Sequence, residues 1–346
     1  MTTDRQFSDA RADIYYWKCD RPAALHGTEL GGARRERAGL QQQIAAMLEK
    51  HFGGTPADLR PGGGQGNHIF FRATINNRDC MIRIEDGPEQ DDYAEVEAHV
   101  AGAVAAAGVP CCRFLGADSS RAEFPFAWQV LERAPGDDLN ALLKAGSLDT
   151  LACMEKIGGF IARWQSIRPD AFGPFRPGVL RRDGILSGCH KNYAGYFHTR
   201  LDAHLARLVD SEFISSEKAA GIAGLVSENA ALLRLPVEGG GRLVHKDLAL
   251  WNVIGRAPCD ITAVIDWDDA ISGDPMDDIS LLACFHDGAC VARALAGYAA
   301  QRALPPDYKG RFWLHLLRNM LWKSVIRVDA GYFSRDSGFF LIGSGS

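Results

Sequence analysis

The sequence lacks several patterns that would place it in well-known classes of protein. No apolar run reaches the ~18 residues that a membrane-spanning helix needs. Residues 1–12 are polar and carry acids, unlike a secretory signal peptide. None of the nine cysteines forms a C-x-x-C pair, and their spacings fit neither a zinc site nor a disulfide framework. These absences predict a protein with reduced thiols in the cytoplasm and no membrane partner.

The chain also has no excess of positive charge. It contains 38 Lys and Arg against 43 Asp and Glu, a formal net charge of −5. Proteins that bind duplex nucleic acid usually present a basic patch, so no nucleic-acid partner is expected. The length of 346 residues and the 47% hydrophobic content suit a globular protein with two domains or one large bilobed unit. Both a monomer and a homodimer remain open.

One stretch carries the pattern of a catalytic loop followed by a metal site. It reads LVHKDLALWNVIGRAPCDITAVIDWDDAISGDPMDDI and contains H-x-D-x-x-x-x-N, formed by His245, Asp247 and Asn252. The apolar run 261–265 then ends abruptly at Asp266. In phosphoryl transfer by kinases an Asp accepts the proton of the attacking hydroxyl, and an Asn and a second Asp hold Mg²⁺. The pattern therefore predicts Asp247 as the catalytic base and Asn252 and Asp266 as metal ligands.

The spacing also predicts how the metal ligands meet. The runs 253–255 and 261–265 are rich in strand-forming residues and are separated by a turn-like linker. If they pair as a hairpin, Asn252 enters just before the first strand and Asp266 leaves just after the second. The two residues are then neighbours. Mg²⁺ usually takes only one or two carboxylates from a protein and completes its shell with phosphate and water, so this pair suffices.

The combined motif resembles the signature of the aminoglycoside phosphotransferase and choline kinase-like superfamily, H-x-D-x-x-x-x-N followed by I-D-W-x-x-A-x-x-G-D-P-x-x-D-[IL]. The resemblance implies an α+β, bilobal, protein-kinase-like fold with a small antiparallel-sheet N-lobe and a larger, mostly helical C-lobe. It places an N-terminal extension at 1–36, the N-lobe at 37–134 and the C-lobe at 135–346. It also implies ATP or GTP as donor, Mg²⁺, and a small-molecule hydroxyl as acceptor.

Weaker matches upstream supply the expected nucleotide side. The stretch 62–70 resembles the family's phosphate-side turn, with Gly64 and Asn67 at matching positions. Glycines let backbone N–H groups approach phosphate oxygens closely. The run 126–136 resembles the strand and hinge between the lobes. There the purine is expected to hydrogen-bond to the backbone of residues 132–134, among them Glu132 and Ala134.

A cation and a carboxylate complete the expected nucleotide site. The runs 70–75 and 80–84 predict a β-hairpin that turns at 76–77. On its second strand, Arg83 stands where this fold normally places a phosphate-binding Lys. Glu97, in an Ala-rich helical run, matches the helix glutamate that pairs with that cation. Glu95 remains an alternative partner, although a solvated helix face explains it better.

Departures from the family pattern leave the acceptor open. Relatives usually have Gly between the His and the Asp, and often His two residues after the Asp; here these are Lys246 and Ala249. Lys246 is expected either to stabilise charge on the transferring phosphoryl group or to fold back to a surface aspartate. An aminoglycoside or sugar-like acceptor is favoured, with possible antibiotic resistance, and an amino alcohol such as choline is the alternative. A pseudokinase without turnover is disfavoured by the intact motif.

An acid excess follows the catalytic loop. Between residues 256 and 280 there are seven aspartates against one arginine, at positions 260, 266, 268, 269, 274, 277 and 278. Charge not used by Mg²⁺ could attract a cationic acceptor, whereas Asp278 is expected to serve a helix N-terminus. Helical runs at 193–208 and 218–233 are expected to shape the acceptor pocket.

Three further segments have predicted packing. The runs 148–167 and 312–328 are expected to be helices with core faces that include Leu151 and Trp313, respectively. The aromatic run 15–17 is expected to pack on the body or to help in pairing.

Overall fold

The structure, a computed structural model, describes residues 11–21, 39–62, 68–87, 91–236 and 240–329. Gly64 and Asn67, which were predicted to lie at the phosphates, fall outside the described residues. Within these ranges no helix combines the length and the apolar character that crossing a membrane requires.

The smaller lobe contains an antiparallel sheet of five strands in the order β1-β2-β3-β5-β4. The strands are β1 (Ala57–Pro61), β2 (Ile69–Ile75), β3 (Arg78–Glu85), β4 (Phe114–Asp118) and β5 (Ala127–Glu132). Strands β2 and β3 join through Asn76 and Asn77, whose φ values of 50° and 62° lie in the left-handed region. Two such residues form the turn that suits a two-residue hairpin, so the hairpin predicted here is confirmed.

Two helices cover the small sheet in different ways. Helix α2 (Leu40–Phe52) buries Leu40, Ile44 and Leu48 against the strands, at the spacing of one helical face, and forms a separate small core with them. Helix α3 (Ala94–Ala106) instead contributes its buried valines to the main core, which continues into the larger lobe. Helix α3 therefore links the lobes.

The larger lobe is mostly helical. Its helices are α4 (Leu139–Lys144), α5 (Thr150–Trp164), α6 (Pro177–Asp183), α7 (Tyr193–His198), α8 (Leu201–Asp210), α9 (Ser216–Glu228), α10 (Asp277–Leu282), α11 (Gly288–Gln301) and α12 (Tyr308–Asp329). Its short strands are β6 (Asp137–Asp138), β7 (Phe172–Phe175), β8 (Gly188–His190), β9 (Arg242–Val244), β10 (Val253–Arg256), β11 (Asp260–Val264) and β12 (Ile271–Gly273). They form sheets in the orders β11-β10-β6 and β8-β7-β12-β9. The predicted α+β class is confirmed, and the lobe boundary at 134 stays a prediction that falls between β5 and β6.

Helices α5 and α11 cross with their backbones in contact. A β-carbon added at Gly158 would meet the carbonyl oxygen of Ala294, and one added at Gly297 would meet that of Glu155, both far inside van der Waals distance. The crossing therefore depends on glycine at both positions. It anchors the main core on which the catalytic segments rest.

Several predicted helices differ from those observed. The run 193–208 is broken into α7 and α8 at Arg200, which has a left-handed φ of 59°. The run 218–233 forms α9 followed by a 3₁₀ turn, Ala230–Leu233. Leu151 and Trp313 were expected in the core, but they are 41% and 66% exposed, because each lies on the solvent edge of its helix.

The N-terminal segment, residues 11–21, packs on the larger lobe. Packing on the body was one of the two expectations for its aromatic run, residues 15–17. It contains the single-turn helix α1 (Trp17–Asp20). Tyr15 stacks on Tyr196 with ring centroids 5.0 Å apart, and Tyr16 stacks on Trp322 at 3.7 Å. Both tyrosines are buried, so the segment is part of the folded body.

Candidate active site

A β-hairpin builds the base of the candidate site. Strands β10 and β11 pair antiparallel with Val253 opposite Val264, as the sequence predicted. Asn252 therefore enters just before the hairpin and Asp266 follows it. The Ile265 N–H donates to the Asn252 carbonyl oxygen at 3.0 Å, which fixes the two flanking segments side by side.

The loop that precedes the hairpin is shaped by hydrogen bonds to backbone groups. His245 Nε2 lies 2.8 Å from the Ile265 carbonyl oxygen. The Asp278 carboxylate accepts the backbone N–H groups of His245 and Lys246, each at 3.0 Å, and the indole N–H of Trp164 at 3.2 Å. Burial raises the pKa of Asp278 to about 6, although these donors favour its charged form. Asp278 was expected to serve a helix N-terminus, and it lies in the first turn of α10, but its carboxylate holds the catalytic loop.

Asp247 lies at the centre of the site and is almost fully buried. Its Oδ2 is 2.5 Å from Lys18 Nζ and accepts Asn252 Nδ2 at 3.2 Å, while its Oδ1 is 3.9 Å from Lys323 Nζ. Burial alone would raise the pKa of this carboxyl, but the ammonium groups of Lys18 and Lys323 outweigh it and hold the pKa below the usual value. Asp247 is therefore kept ionised, as a proton acceptor must be.

Asp266 is the more accessible member of the pair that was predicted to bind metal. It has a left-handed backbone, with φ 66° and ψ 54°, and its side chain is 28% exposed. Its Oδ1 lies 3.7 Å from Arg83 Nη1 and its Oδ2 lies 3.5 Å from Lys18 Nζ. Burial, followed by the charge of Asp268, raises the pKa of Asp266, so a cation at this carboxylate would relieve repulsion.

The donor set fits a hard divalent cation. Asn252 Nδ2 donates to the Asp247 carbonyl oxygen at 2.8 Å, so the amide oxygen is the atom that Asn252 can offer. Together with the Asp266 carboxylate it gives the small share of oxygen ligands that Mg²⁺ takes from a protein.

On the nucleotide side, Arg83 and Glu97 pair as the resemblance implied. Arg83 Nη1 lies 2.6 Å from Glu97 Oε2, and that oxygen also accepts Gln129 Nε2 at 2.8 Å. Arg83 Nη2 contacts Asp268 Oδ2 at 2.7 Å and, very closely, His68 Nε2. The guanidinium is thus fixed in a buried polar cluster, and its Nη1 lies 3.7 Å from Asp266 Oδ1.

Glu95, the alternative partner of Arg83, points elsewhere. Its Oε2 lies 2.5 Å from Arg181 Nε, and its Oε1 accepts the Ser119 N–H at 3.1 Å. Glu95 therefore connects α3 to α6, and of the two glutamates only Glu97 pairs with Arg83.

The comparison with known families decides the class of protein. The sequence matches the family model described as "Phosphotransferase enzyme family" over residues 59–313, which is more than half of the 346 residues. The chain belongs to the phosphotransferase enzyme family. The predicted class of enzyme, a phosphotransferase with an alcohol group as acceptor, is confirmed.

Solved structures confirm the protein-kinase-like fold of this phosphotransferase. A thermostable mutant of aminoglycoside phosphotransferase APH(4)-Ia, in a ternary complex with AMP-PNP and hygromycin B, has 20% identity and a TM-score of 0.60, covering 84% of this chain and 95% of that chain. A candidate fructosamine-3-kinase from Thermobifida fusca YX-ER1 has 17% identity and a TM-score of 0.59, covering 84% and 98%. No curated protein sequence gives a significant match.

Part of the hydrogen-bonding capacity of the predicted hinge is already used. The Glu132 N–H donates to the Arg113 carbonyl oxygen at 2.9 Å, and the Glu132 side chain lies 3.0 Å from Arg78. A purine contact at Glu132 would therefore use its carbonyl oxygen. The predicted contacts of Glu132 and Ala134 with a purine stay predictions.

Lys246 corrects one expectation. Its ammonium is buried and lies 2.8 Å from Asp277 Oδ2 and 3.0 Å from the Tyr15 hydroxyl. The fold-back to an aspartate is observed, but that aspartate lies in the core and not on the surface. In this conformation Lys246 does not reach the space between Asp247 and Asp266.

The acidic stretch, whose charge was expected to attract a cationic acceptor, is mostly buried. Five of its aspartates are buried: Asp268, Asp269, Asp274, Asp277 and Asp278. Asp274, for example, lies 2.6 Å from Arg311 and 3.5 Å from His315. Asp268, Asp269, Asp274 and Asp277 lie within 4 Å of cations from other segments, and Asp278 accepts N–H groups. The attraction of a cationic acceptor by this stretch stays a prediction.

The cations that converge on Asp247 were not predicted from the sequence. Lys18 belongs to the N-terminal segment, for which no contact with the catalytic loop was predicted. Lys323 belongs to α12. Lys323 lies 4.5 Å and 4.2 Å from the ring centroids of Phe285 and Trp322, and burial lowers its pKa to about 8. No spacing in the sequence relates either lysine to the catalytic loop.

Proposed function

We propose that this phosphotransferase transfers the γ-phosphoryl group of ATP, with Mg²⁺, to a hydroxyl of a sugar-like small molecule. The observation that carries the proposal is the convergence of Asp247, Asn252 and Asp266 at the open end of one hairpin. These are the groups that a phosphoryl transfer of this kind needs at one place.

Asp247 accepts the proton of the attacking hydroxyl, since it is ionised and its Oδ2 lies on the side of Lys18 and Asp266. Asn252 and Asp266 would hold the metal ion, which neutralises charge on the phosphates. Arg83, fixed by Glu97, adds positive charge on the nucleotide side. Positioning and electrostatic stabilisation therefore account for the catalysis, as expected for phosphoryl transfer.

The donor is a purine nucleoside triphosphate. Complexes of APH(4)-Ia variants with AMP-PNP and with ADP support nucleotide use in a protein of this fold. We favour ATP and keep GTP as the alternative donor. Gly64, Asn67, Glu132 and Ala134 are the proposed further contacts, at the phosphates and at the purine respectively.

The acceptor is proposed to bind beside α7, α8 and α9, which lie between the small lobe and the catalytic loop in sequence. An aminoglycoside is one candidate, because an APH(4)-Ia complex contains hygromycin B, and resistance to such a compound would follow. A sugar-derived amine is the other, because candidate fructosamine-3-kinases share the fold. The nine cysteines, all within the described residues, form no disulfide, which agrees with a cytoplasmic site of action.

A panel of aminoglycosides, sugars, sugar amines and amino alcohols tests the proposal. ADP release should rise with one class of acceptor, and mass spectrometry should find the phosphate ester in the product. Asp247→Asn should remove the stimulated rate. Stimulation that persists in this variant would contradict the proposed base, and stimulation by no compound of the panel would contradict the proposed acceptor class.

A further inference from the structure

The N-terminal segment places an ammonium group between the proposed base and the proposed metal ligand. Lys18 Nζ lies 2.5 Å from Asp247 Oδ2, 3.5 Å from Asp266 Oδ2 and 3.7 Å from Asp269 Oδ2. A phosphoryl group that passes from a nucleotide at Asp266 to a hydroxyl at Asp247 must cross the space around this ammonium. The position is therefore on the reaction path.

The backbone that carries Lys18 is firmly held. Asp20 Oδ2 accepts the N–H groups of Tyr15 and Tyr16, each at 2.9 Å, and Asp20 Oδ1 lies 2.6 Å from His204 Nε2. Stacking of Tyr16 on Trp322 fixes the same turn. Only the flexible Lys18 side chain, 29% exposed, has to move in order to change partner.

The amino group of Lys18 is charged. Burial alone would lower its pKa, but Asp247, Asp266 and Asp269 raise the pKa well above the usual value. The ammonium carries three N–H donors and no acceptor, so it can serve phosphoryl oxygens as well as carboxylates.

The catalytic loop itself brings no comparable group to this point. Ala249, two residues after Asp247, has no polar side chain, and Lys246 is turned towards Asp277. Among the described residues, the cations paired with Asp247 are Lys18 and, on the opposite carboxylate oxygen, Lys323. The space between Asp247 and Asp266 thus receives its cation from 229 positions away in the chain.

We propose that Lys18 is a catalytic residue of the phosphotransferase and binds the transferring phosphoryl group from the N-terminal segment. The inference rests on the proposed function. In the transfer, a bond forms between the acceptor oxygen and the γ-phosphorus, and the bond from that phosphorus to the bridging oxygen of ADP breaks. The hydroxyl proton passes to Asp247, the electron pair leaves with ADP, and Lys18 keeps its proton throughout.

Nucleotide binding provides a test that does not depend on turnover. Calorimetry would compare Mg²⁺·AMP-PNP with Mg²⁺·ADP in the full-length wild type, Lys18→Met, Lys18→Arg and the exposed control Lys144→Met. Lys18→Met should weaken AMP-PNP binding about tenfold, the size of one charged hydrogen bond, and leave ADP binding within about twofold. Lys18→Arg should retain most of the preference for the triphosphate, and Lys144→Met should match the wild type.

Basal ATP hydrolysis, with water as acceptor, gives the kinetic arm. Removing one hydrogen-bond donor to the negative charge of a transition state lowers kcat on the order of 10²–10³-fold. Lys18→Met should therefore lower kcat about 10²-fold, with little change in KM for ATP. Lys18→Arg should recover part of that loss, whereas a residue needed only for folding would change the melting temperature instead.

The outcomes separate this inference from the proposed function. Tighter AMP-PNP binding or faster hydrolysis in Lys18→Met would show that Lys18 obstructs Asp247, and would overturn the inference. Equal behaviour of Lys18→Met and wild type would also overturn it, while the proposed function stood. A wild type that bound neither nucleotide would overturn both.

Discussion

The two sides of the proposed active site are held by different kinds of contact. On the hairpin side, most of the contacts that hold the site involve backbone groups. Two consecutive N–H groups of the catalytic loop donate to Asp278, and the N–H of Ile265 donates to the carbonyl oxygen of Asn252. The Asp266 side chain projects from this frame and is partly exposed, whereas Asp247 is buried and its carboxylate accepts a hydrogen bond from Asn252 Nδ2.

On the N-terminal side, the segment 11–21 is attached mainly by side chains. Tyr16 stacks on Trp322, the Asp20 carboxylate holds the turn of α1, and the Tyr15 hydroxyl accepts a hydrogen bond from Lys246. Arg11 pairs with Asp91. Functional side chains on the hairpin side should therefore be replaceable without loss of fold. On the N-terminal side, replacing an anchoring side chain should displace the segment.

The largest effect is expected at the metal ligand. Asp266→Ala should remove Mg²⁺-dependent turnover and leave the fold intact, because this side chain is partly exposed and follows the end of a strand. ATP turnover titrated with Mg²⁺, together with thermal unfolding, measures both. Asp260→Ala on the same hairpin is the matched control, since Asp260 is exposed. Near-normal kcat at saturating substrate would contradict the assignment of Asp266.

The proposed base comes next. Asp247→Asn should lower kcat by about 10²–10⁴, the usual contribution of a general base. Binding of Mg²⁺·ADP, measured by calorimetry, should change little, because the proposed partner of Asp247 is the acceptor hydroxyl and not the nucleotide. Collapse of nucleotide affinity with survival of turnover would place Asp247 on the nucleotide side instead.

A buried lysine that bridges the two sides should affect stability more than chemistry. Lys246→Met would leave Asp277 buried without its ammonium partner, and breaking such a pair typically costs about 3–5 kcal/mol. Urea unfolding measures the loss, and the double variant Lys246→Met/Asp277→Asn should recover part of it. Normal stability combined with a 100-fold loss of kcat would instead put Lys246 at the phosphoryl group.

The smallest effect is expected at the anchor of α1. Asp20→Asn weakens a carboxylate that accepts two backbone N–H groups and contacts His204, which should cost about 1–3 kcal/mol. Turnover should fall as well, because the backbone of Lys18 is no longer fixed. Asp202→Asn, on an exposed position of α8, is the control. Unchanged stability and turnover would show that the segment is held without this carboxylate.

The hairpin side could be predicted from the sequence because its contacts are short in chain distance. His245 and Ile265 are 20 positions apart, and Arg83 and Glu97 are 14 apart. Strand propensity, a turn and a motif suffice for such contacts. The contact of Lys18 with Asp247 spans 229 positions and follows no period, so no local pattern could reveal it.

The exposure of charged and apolar groups was harder to predict for a related reason. A run of aspartates resembles a solvated surface, but Asp274 and Asp277 are buried against Arg311 and Lys246, which arrive from other parts of the chain. Helical periodicity predicts which face of a helix is apolar, but it does not predict how far along that face the core extends. Leu151 therefore lies outside the core although its neighbours in the same pattern lie inside.

The glycine contacts between α5 and α11 set a limit on how this chain can vary. Each helix backbone occupies the volume that a methyl group at Gly158 or Gly297 would need. In a library that samples every amino acid at every position, these two sites should accept glycine alone, although no phosphate or acceptor touches them. Inactive clones with changes there would be depleted in soluble protein, whereas inactive clones at Asp247 or Asp266 would accumulate as folded protein. Abundance and activity, scored together, would thus separate the scaffold of the molecule from its chemistry.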